Sequence, residues 1–237
     1  MRGIVVRNIP RSPEAMKTAL GAVGVATIHE AMDRQGLAAP ILRPVYQGAS
    51  IAGNAVTVLL PPGDNWMIHV AIEQCRPGDV LVVASESRCT DGALGELLAT
   101  SLRAAGVTGA VLDVGCRDVR ALQDMQFPVW CRAISARGTV KASLGSVNIP
   151  IVCAEMAVQP GDIVVADDDG VVCVPYALAE QTLISATSRQ SKENESRQQL
   201  AAGKLGLDRL NMRPKLSAAG LRYVDDMSEA IRLRGRP

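Results

Sequence analysis

Aromatic side chains are nearly absent from this chain: one Phe, two Trp and three Tyr in 237 residues. Proteins that hold single-stranded nucleic acid stack bases on such rings, so that function has no platform here. Net charge is missing too. Twenty-five Lys and Arg stand against 24 Asp and Glu, a formal +1, which leaves no basic footprint for nucleic acid or an anionic membrane. No apolar run approaches the ~20 residues of a membrane-spanning helix. The opening MRGIVVRNIPRSPEAM lacks the apolar region of a signal peptide. The expected setting is the cytoplasm, with neither nucleic acid nor membrane as partner. Histidine is scarce: His29 and His69 stand far apart and read as packing or hydrogen-bonding residues. No C-x-x-C occurs among Cys75, Cys89, Cys116, Cys131, Cys153 and Cys173. Several lie in apolar runs such as IPIVCAEM, so reduced, buried thiols are expected rather than zinc ligands.

What the chain does have is 48% apolar residues, ample for a sizeable core. The first 45 residues read mostly as helix. Ser12-Pro13 resembles a helix start, Thr27 with Glu30 fits a capping box, and Gly36 suits a helix end. SIAGNAVTVLL is rich in β-branched residues and predicts a strand. Asn65 is placed to cap the helix NWMIHVAIEQC, and VLVVAS is a second strand. Residues 91–105, DGALGELLATSLRAA, predict a helix entered through glycines. GAVLDV is a buried-strand run followed by Gly115-Cys116-Arg117-Asp118 and the helix VRALQDM. This order predicts parallel pairing with right-handed crossovers.

Short strands follow: FPVWCRAIS, VNIPIVCA, DIVVADD and GVVCVP. Asp167-Asp168-Asp169-Gly170 reads first as a hairpin turn, with three carboxylates that also invite a metal reading. From Tyr176 a long helix runs to about Ala202, capped by Gly203. The last segment has apolar spots without a core of its own, so it needs a partner surface. Residues 1–176 are expected as one α/β domain and 177–237 as a helical extension.

Two features carry chemistry. Arg117-Asp118 follows a buried strand and opens a helix, where ligands of α/β sheets bind. A carboxylate there can anchor a hard cation, and an arginine beside it can bind a carboxylate or a developing oxyanion. By itself such a pair at a helix start is more often a solvated one, with Asp favouring the helix dipole. The second feature is Gly95-Glu96-Leu97-Leu98. Glycine permits close approach, and the first-turn N–H groups can hold an anion.

Glu96, twenty intervening residues, then Arg117-Asp118 resembles the acidic-x20-Arg-Asp motif of one superfamily. It includes the class II 4-hydroxy-4-methyl-2-oxoglutarate/4-carboxy-4-hydroxy-2-oxoadipate aldolases and the RraA proteins, inhibitors of RNase E. CTDGALGELLATSLRAAGVTGAVLDVGCRDV, GTVKASLGSVNIPIVCA and PGDIVVADDDGVVCVP share the likeness, which runs from about Asn8 to Asp226.

The resemblance implies an α/β fold, an αββα layered sandwich of the swivelling type, with a C-terminal helical extension. It implies a trimer or hexamer. It implies Mg²⁺ or Mn²⁺ on Asp118, with Glu96 and Glu193 acting through water, Glu193 from a neighbouring subunit and Glu195 its near competitor. Arg117 would serve catalysis. Gly95, Leu97, Leu98, Arg117, Asn65 and Lys141 would bind a 4-hydroxy-2-oxo acid, with Arg137 an alternative to Lys141 for distal carboxylates. A Schiff base on Lys141 is the rival mechanism. The usual acid at the Glu96 position is aspartate, so the reach of that side chain differs here. The tail separates the branches: RraA regulators resemble this chain only to the end of the strand region, whereas the aldolases continue. A non-enzymatic RNase E binder and another metal-dependent 2-oxo acid lyase or decarboxylase are the alternatives.

Overall fold

The computed structural model describes residues 2–234. In chain order the elements are α1 (Glu14–Val23), α2 (Val25–Ala31), β1 (Arg43–Pro44), β2 (Ile51–Leu60), α3 (Trp66–Ile72), β3 (Asp79–Ser85), β4 (Gly92–Leu94) and α4 (Glu96–Ala104). Then come β5 (Gly109–Cys116), α5 (Val119–Asp124), β6 (Val129–Ile134), β7 (Ser146–Val147), β8 (Ile151–Cys153), β9 (Met156–Val158), β10 (Ile163–Asp167) and β11 (Gly170–Val174). A 3-10 turn at Tyr176–Leu178 leads into α6 (Ala179–Ala201), followed by α7 (Gly206–Arg209), α8 (Arg213–Ala218) and α9 (Met227–Arg234). The chain divides into two compact units, Met1–Gln190 and Ser191–Pro237, with the division inside α6.

The first unit is a mixed α/β fold around one sheet in the order β1-β6-β5-β3-β2-β10-β11, with β4 paired to β5 and β7 to β2. β2, β3, β5 and β6 are mutually parallel, as the strand and helix order predicted. The sheet is buried on both faces because its strands alternate between two cores. Val56, Val58, Leu60, Leu81 and Val83 face Ile68 of α3, Leu98 and Leu102 of α4, and Leu122 of α5. Ala55, Val80, Val82 and Ala84 face the opposite side, with Trp130 and the β8–β9 ribbon. A third core joins α1 and α2 to β10 and β11. Two-sided burial explains why these strands read as continuous apolar runs.

Several local expectations need correction. The first 45 residues are not mostly helical, since only α1 and α2 form there. Thr27 lies inside α2 and caps nothing; Gly24 holds the N-cap position, and the Val25 N–H donates to Asp167 Oδ2 at 2.9 Å. Asn65 does hold the N-cap position of α3, but its side chain makes no capping bond. Residues 92–94 form strand β4 rather than the first turn of a helix. His69 is exposed rather than packed. The Asp167–Gly170 turn closes the β10–β11 hairpin, with Asp167 opposite Gly170. Asp167 Oδ1 accepts the Asp169 N–H at 2.9 Å, and Asp168 accepts the Gly48 N–H at 3.0 Å. Those carboxylates thus serve the backbone, and no group of three His, Cys, Asp or Glu poised for a metal exists among the described residues. All six cysteines are free; Cys116, Cys131, Cys153 and Cys173 are buried. No described helix is long and apolar enough to cross a membrane.

Candidate active site

The site gathers where β4, β5 and β6 end. β3 accompanies β5 only as far as Leu112; beyond it β4 takes over, pairing Gly92 with Gly115 and Leu94 with Cys116. On the other side Cys116 pairs with Ile134. Only glycine fits at 115, because a Cβ there would lie 2.7 Å from Asp91 O and nearer still to Thr90 O. This packing delivers Arg117 and Asp118 to the strand end, with the Arg117 N–H on Leu94 O at 2.9 Å.

Asp118 sits at φ 57°, ψ 36°, the left-handed region, immediately before α5. Asp and Asn tolerate that region better than most residues, though at some cost. Its Oδ2 accepts the Glu96 N–H at 3.1 Å and lies 3.7 Å from Arg117 Nε. Both contacts fall on one oxygen, which leaves Oδ1 for a ligand. The two side chains are about equally open to solvent, 45% for Arg117 and 43% for Asp118. Gly95 makes the approach possible. A Cβ there would penetrate Asp118 Oδ2 and come within 2.9 Å of Arg117 Cγ. In the first turn of α4, the Leu97 and Leu98 N–H groups have no intrahelical acceptors. Leu97 is 83% exposed and Leu98 8%. So Gly95, Glu96, Leu97, Leu98, Arg117 and Asp118 come together in one place.

A loop of residues 135–144 forms the next wall. The Ser135 N–H donates to Cys116 O at 2.9 Å and the Gly92 N–H to Arg137 O at 2.7 Å. Arg137 Nε lies 3.5 Å from Asp91 Oδ1. A Cβ on Gly138 would lie 3.3 Å from Arg117 Nη1. Farther along, Asp64 accepts N–H groups from Trp66, Ala142 and Ser143 at 2.7, 2.7 and 2.8 Å. Burial pushes the Asp64 carboxyl up, but these N–H groups and the charge of Lys141 outweigh it and hold it below its ordinary 3.8. Loss of solvent and Lys141 also push His69 below 6.5. Asn65 is 7% exposed; its Nδ2 donates to Ala93 O at 2.9 Å, and its Oδ1 is buried without a partner. Asn65 and Lys141 therefore attach to the same wall as Arg117.

Glu193 does not join this group within one chain's first unit. It lies in the Ser191–Pro237 unit, half-buried on α6, with exposed Glu195 two residues on. Sequence reasoning pointed to Lys141 and Arg137 but missed Asp64 and Asp91, which hold their loop. The only signal was the Gly63-Asp64-Asn65 turn, which read as a helix start.

One carboxylate with a free oxygen suits a cation that keeps most of its waters, as Mg²⁺ does. It does not suit a dry cage of protein ligands. The donor set therefore fits Mg²⁺ or Mn²⁺ on Asp118, with Glu96 in the adjacent helical turn. Large apolar side chains on the elements that form the site are open to solvent: Leu97, Ile134 at 66% and Val140 at 61% exposed.

Residues 25–173 match the family model Aldolase/RraA. The chain is 30% identical over 181 residues to a Halalkalibacterium halodurans protein named "Putative 4-hydroxy-4-methyl-2-oxoglutarate aldolase", covering 76% of this chain and 86% of that one. Among solved structures it is similar to Streptomyces coelicolor RraAS2, described as an unusual member of the RNase ES inhibitor RraA family. That match has a TM-score of 0.71 and 27% identity, covering 80% of this chain and 99% of that one. An uncharacterized Pseudomonas syringae protein shares the fold, with a TM-score of 0.74 at 23% identity, covering 83% and 97%. This chain belongs to the Aldolase/RraA family.

Proposed function

We propose that the protein is a divalent-metal-dependent class II aldolase, a carbon–carbon lyase that releases pyruvate from a branched 4-hydroxy-2-oxo acid. The observation that carries this reading is the convergence of Asp118, Arg117 and the first turn of α4 at one strand end, with Gly95 absent of any Cβ between them. The substrates are 4-carboxy-4-hydroxy-2-oxoadipate and 4-hydroxy-4-methyl-2-oxoglutarate.

The Leu97 and Leu98 N–H groups bind the C1 carboxylate, as a helix N-terminus binds anions. A cation at Asp118, Mg²⁺ or Mn²⁺, supplies Lewis-acid polarisation of the 2-oxo group. Arg117 places its positive charge beside the oxygen that becomes an enolate. Glu96, and Glu193 from a neighbouring copy, would order the surrounding waters, and a water held by Glu96 would take the 4-hydroxyl proton while passing one of its own to the Glu96 carboxylate. The C3–C4 bond then breaks, its electron pair enters the enolate, and the proton taken from the 4-hydroxyl returns through the same water to C3 to give pyruvate. The other product is oxaloacetate or a second pyruvate. Asn65 and Lys141 contact the substrate beyond its 2-oxo acid end. The same electron flow predicts oxaloacetate decarboxylation as a side activity. The setting is cytoplasmic breakdown of aromatic acids such as protocatechuate or gallate, and the assembly a homohexamer of two trimers.

The test is pyruvate release from 4-carboxy-4-hydroxy-2-oxoadipate by chelator-stripped protein. Turnover restored by Mg²⁺ supports the reading. Silence on both aldol substrates, with oxaloacetate still consumed, replaces it with a decarboxylase. The likeness to Streptomyces coelicolor RraAS2 favours a second reading, a non-enzymatic regulator that binds an RNase E-type partner. Capture of such a partner by protein inactive on every oxo acid would select it.

A further inference from the structure

Asp64 is 3% exposed, yet its bonds point to a loop that is exposed along most of residues 136–144. Oδ2 accepts the Ala142 and Ser143 N–H groups at 2.7 and 2.8 Å. Oδ1 accepts the Trp66 N–H at 2.7 Å, so the same carboxylate starts α3. The Val140 N–H donates to Gly63 O at 2.9 Å and the Asn65 N–H to Val140 O at 3.1 Å, completing a short parallel bridge. The loop's first half is held separately, by Asp91 on Arg137 and by Arg137 O on the Gly92 N–H. Between these clamps Gly138 passes the Arg117 guanidinium. Lys141 is exposed, and its charge acts on Asp64 and His69. Withdrawing a carboxylate from water costs free energy unless its bonds repay it. Here the return is a rigid backbone in a surface loop, which a surface loop needs only if something on it must be placed.

We propose that Asp64 is a positioning residue for the outer half of the substrate: by pinning residues 140–143 it holds Lys141, with Arg137, as a fork for the carboxylate that distinguishes a three-carboxylate aldol substrate from a two-carboxylate one. This rests on the aldolase reading above. Asp64 touches no reacting atom. It acts through the position of Lys141, whose ammonium otherwise sweeps a wide volume on a flexible stem.

The experiment compares 4-carboxy-4-hydroxy-2-oxoadipate with 4-hydroxy-4-methyl-2-oxoglutarate in the full-length protein with Mg²⁺. Asp64→Asn keeps the side chain's shape but cannot accept on both oxygens. It is expected to raise KM for the three-carboxylate substrate on the order of tenfold, the usual effect of losing one charged hydrogen bond. The rise for the two-carboxylate substrate should be under about threefold, and kcat should fall little on either. Lys141→Ala is expected to give the same split, and the double variant no more than the larger single effect. Amide exchange at Ala142 and Ser143 should accelerate in Asp64→Asn. Equal losses on both substrates, or effects that multiply in the double variant, would overturn the inference. Lys141 is exposed, so its variant and the exchange measurement still decide the matter if Asp64→Asn folds poorly. An unaltered protein silent on both substrates overturns the aldolase reading and this inference with it. An active one without the split overturns the inference alone.

Discussion

In the proposed mechanism Asp118 carries the largest burden of any single residue. Its left-handed backbone suits asparagine as well as aspartate, so Asp118→Asn changes charge without straining the chain. Without metal, the variant's melting temperature should stay within about 2 °C of the unaltered protein. Its aldol turnover should fall by about a thousandfold or more, the scale of a lost Lewis-acid contribution. Arg117→Ala should act mainly on kcat, because in that mechanism its charge would meet the enolate oxygen only as that oxygen develops. Gly95 is a sharper probe. Its φ of −147° is open to alanine, so the substitution strains only the space occupied by Asp118 Oδ2 and the Arg117 side chain. Gly95→Ala is expected to cost about a hundredfold in kcat/KM, the usual result of shifting a reacting group by about 1 Å. Near-normal activity would mean that Asp118 need not stand where it does. Acid stability gives an independent check on Asp64. Its carboxyl lies below the ordinary 3.8, so the fold favours the ionised form. That contribution is whole above about pH 4 and fades as pH falls through the folded value. The gap in melting temperature between the unaltered protein and Asp64→Asn should therefore narrow as pH falls below about 4.

Elements show what the sequence could and could not reveal. The parallel strands were legible because burial on both faces makes each a continuous apolar run, and the helices between them fixed their direction. β4 was not, since three residues between glycines have no period to read. The caps were misread because they come from afar. Asp167 on β10 satisfies the start of α2, and Asp64 the start of α3. A local rule assigned those duties to Thr27 and Asn65. The place of Arg117-Asp118 at a strand end was legible, the pair being adjacent in sequence and following a buried strand. The Asp91–Arg137 and Asp64–Ala142 contacts span 46 and 78 positions, beyond the reach of any motif. Asp167→Ala tests the remote cap. It removes acceptors from both the Val25 and Asp169 N–H groups and should cost about 1–2 kcal/mol. A melting temperature lowered by about 2–8 °C with KM unchanged fits; an unchanged melting temperature does not.

At the scale of the molecule, the second unit leaves large apolar side chains in solvent. Tyr223 is 75%, Met227 74% and Ile231 64% exposed. Leu97, Ile134 and Val140 do the same on the elements that form the strand-end site. Patches of this kind mark interaction surfaces, and another copy of the chain is the proposed cover. If Glu193 completes a neighbour's site, two crippled variants should rescue each other. Asp118→Asn spoils only the site on its own chain, whereas Glu193→Ala spoils only the neighbour's. Mixed oligomers then contain some sites with both residues intact, and co-expression should recover roughly a quarter of normal activity if copies mix at random. Recovery no greater than the sum of the separate variants would place Glu193 in its own chain's site or in none.

The most direct measurement of the central claim is Mn²⁺ binding to metal-free protein, followed by electron paramagnetic resonance with and without pyruvate. The unaltered protein should bind one Mn²⁺ per chain, and pyruvate should alter its spectrum by entering the cation's coordination shell. Asp118→Asn should lose that site. Stoichiometric binding that survives Asp118→Asn, or a spectrum indifferent to pyruvate, would contradict the account.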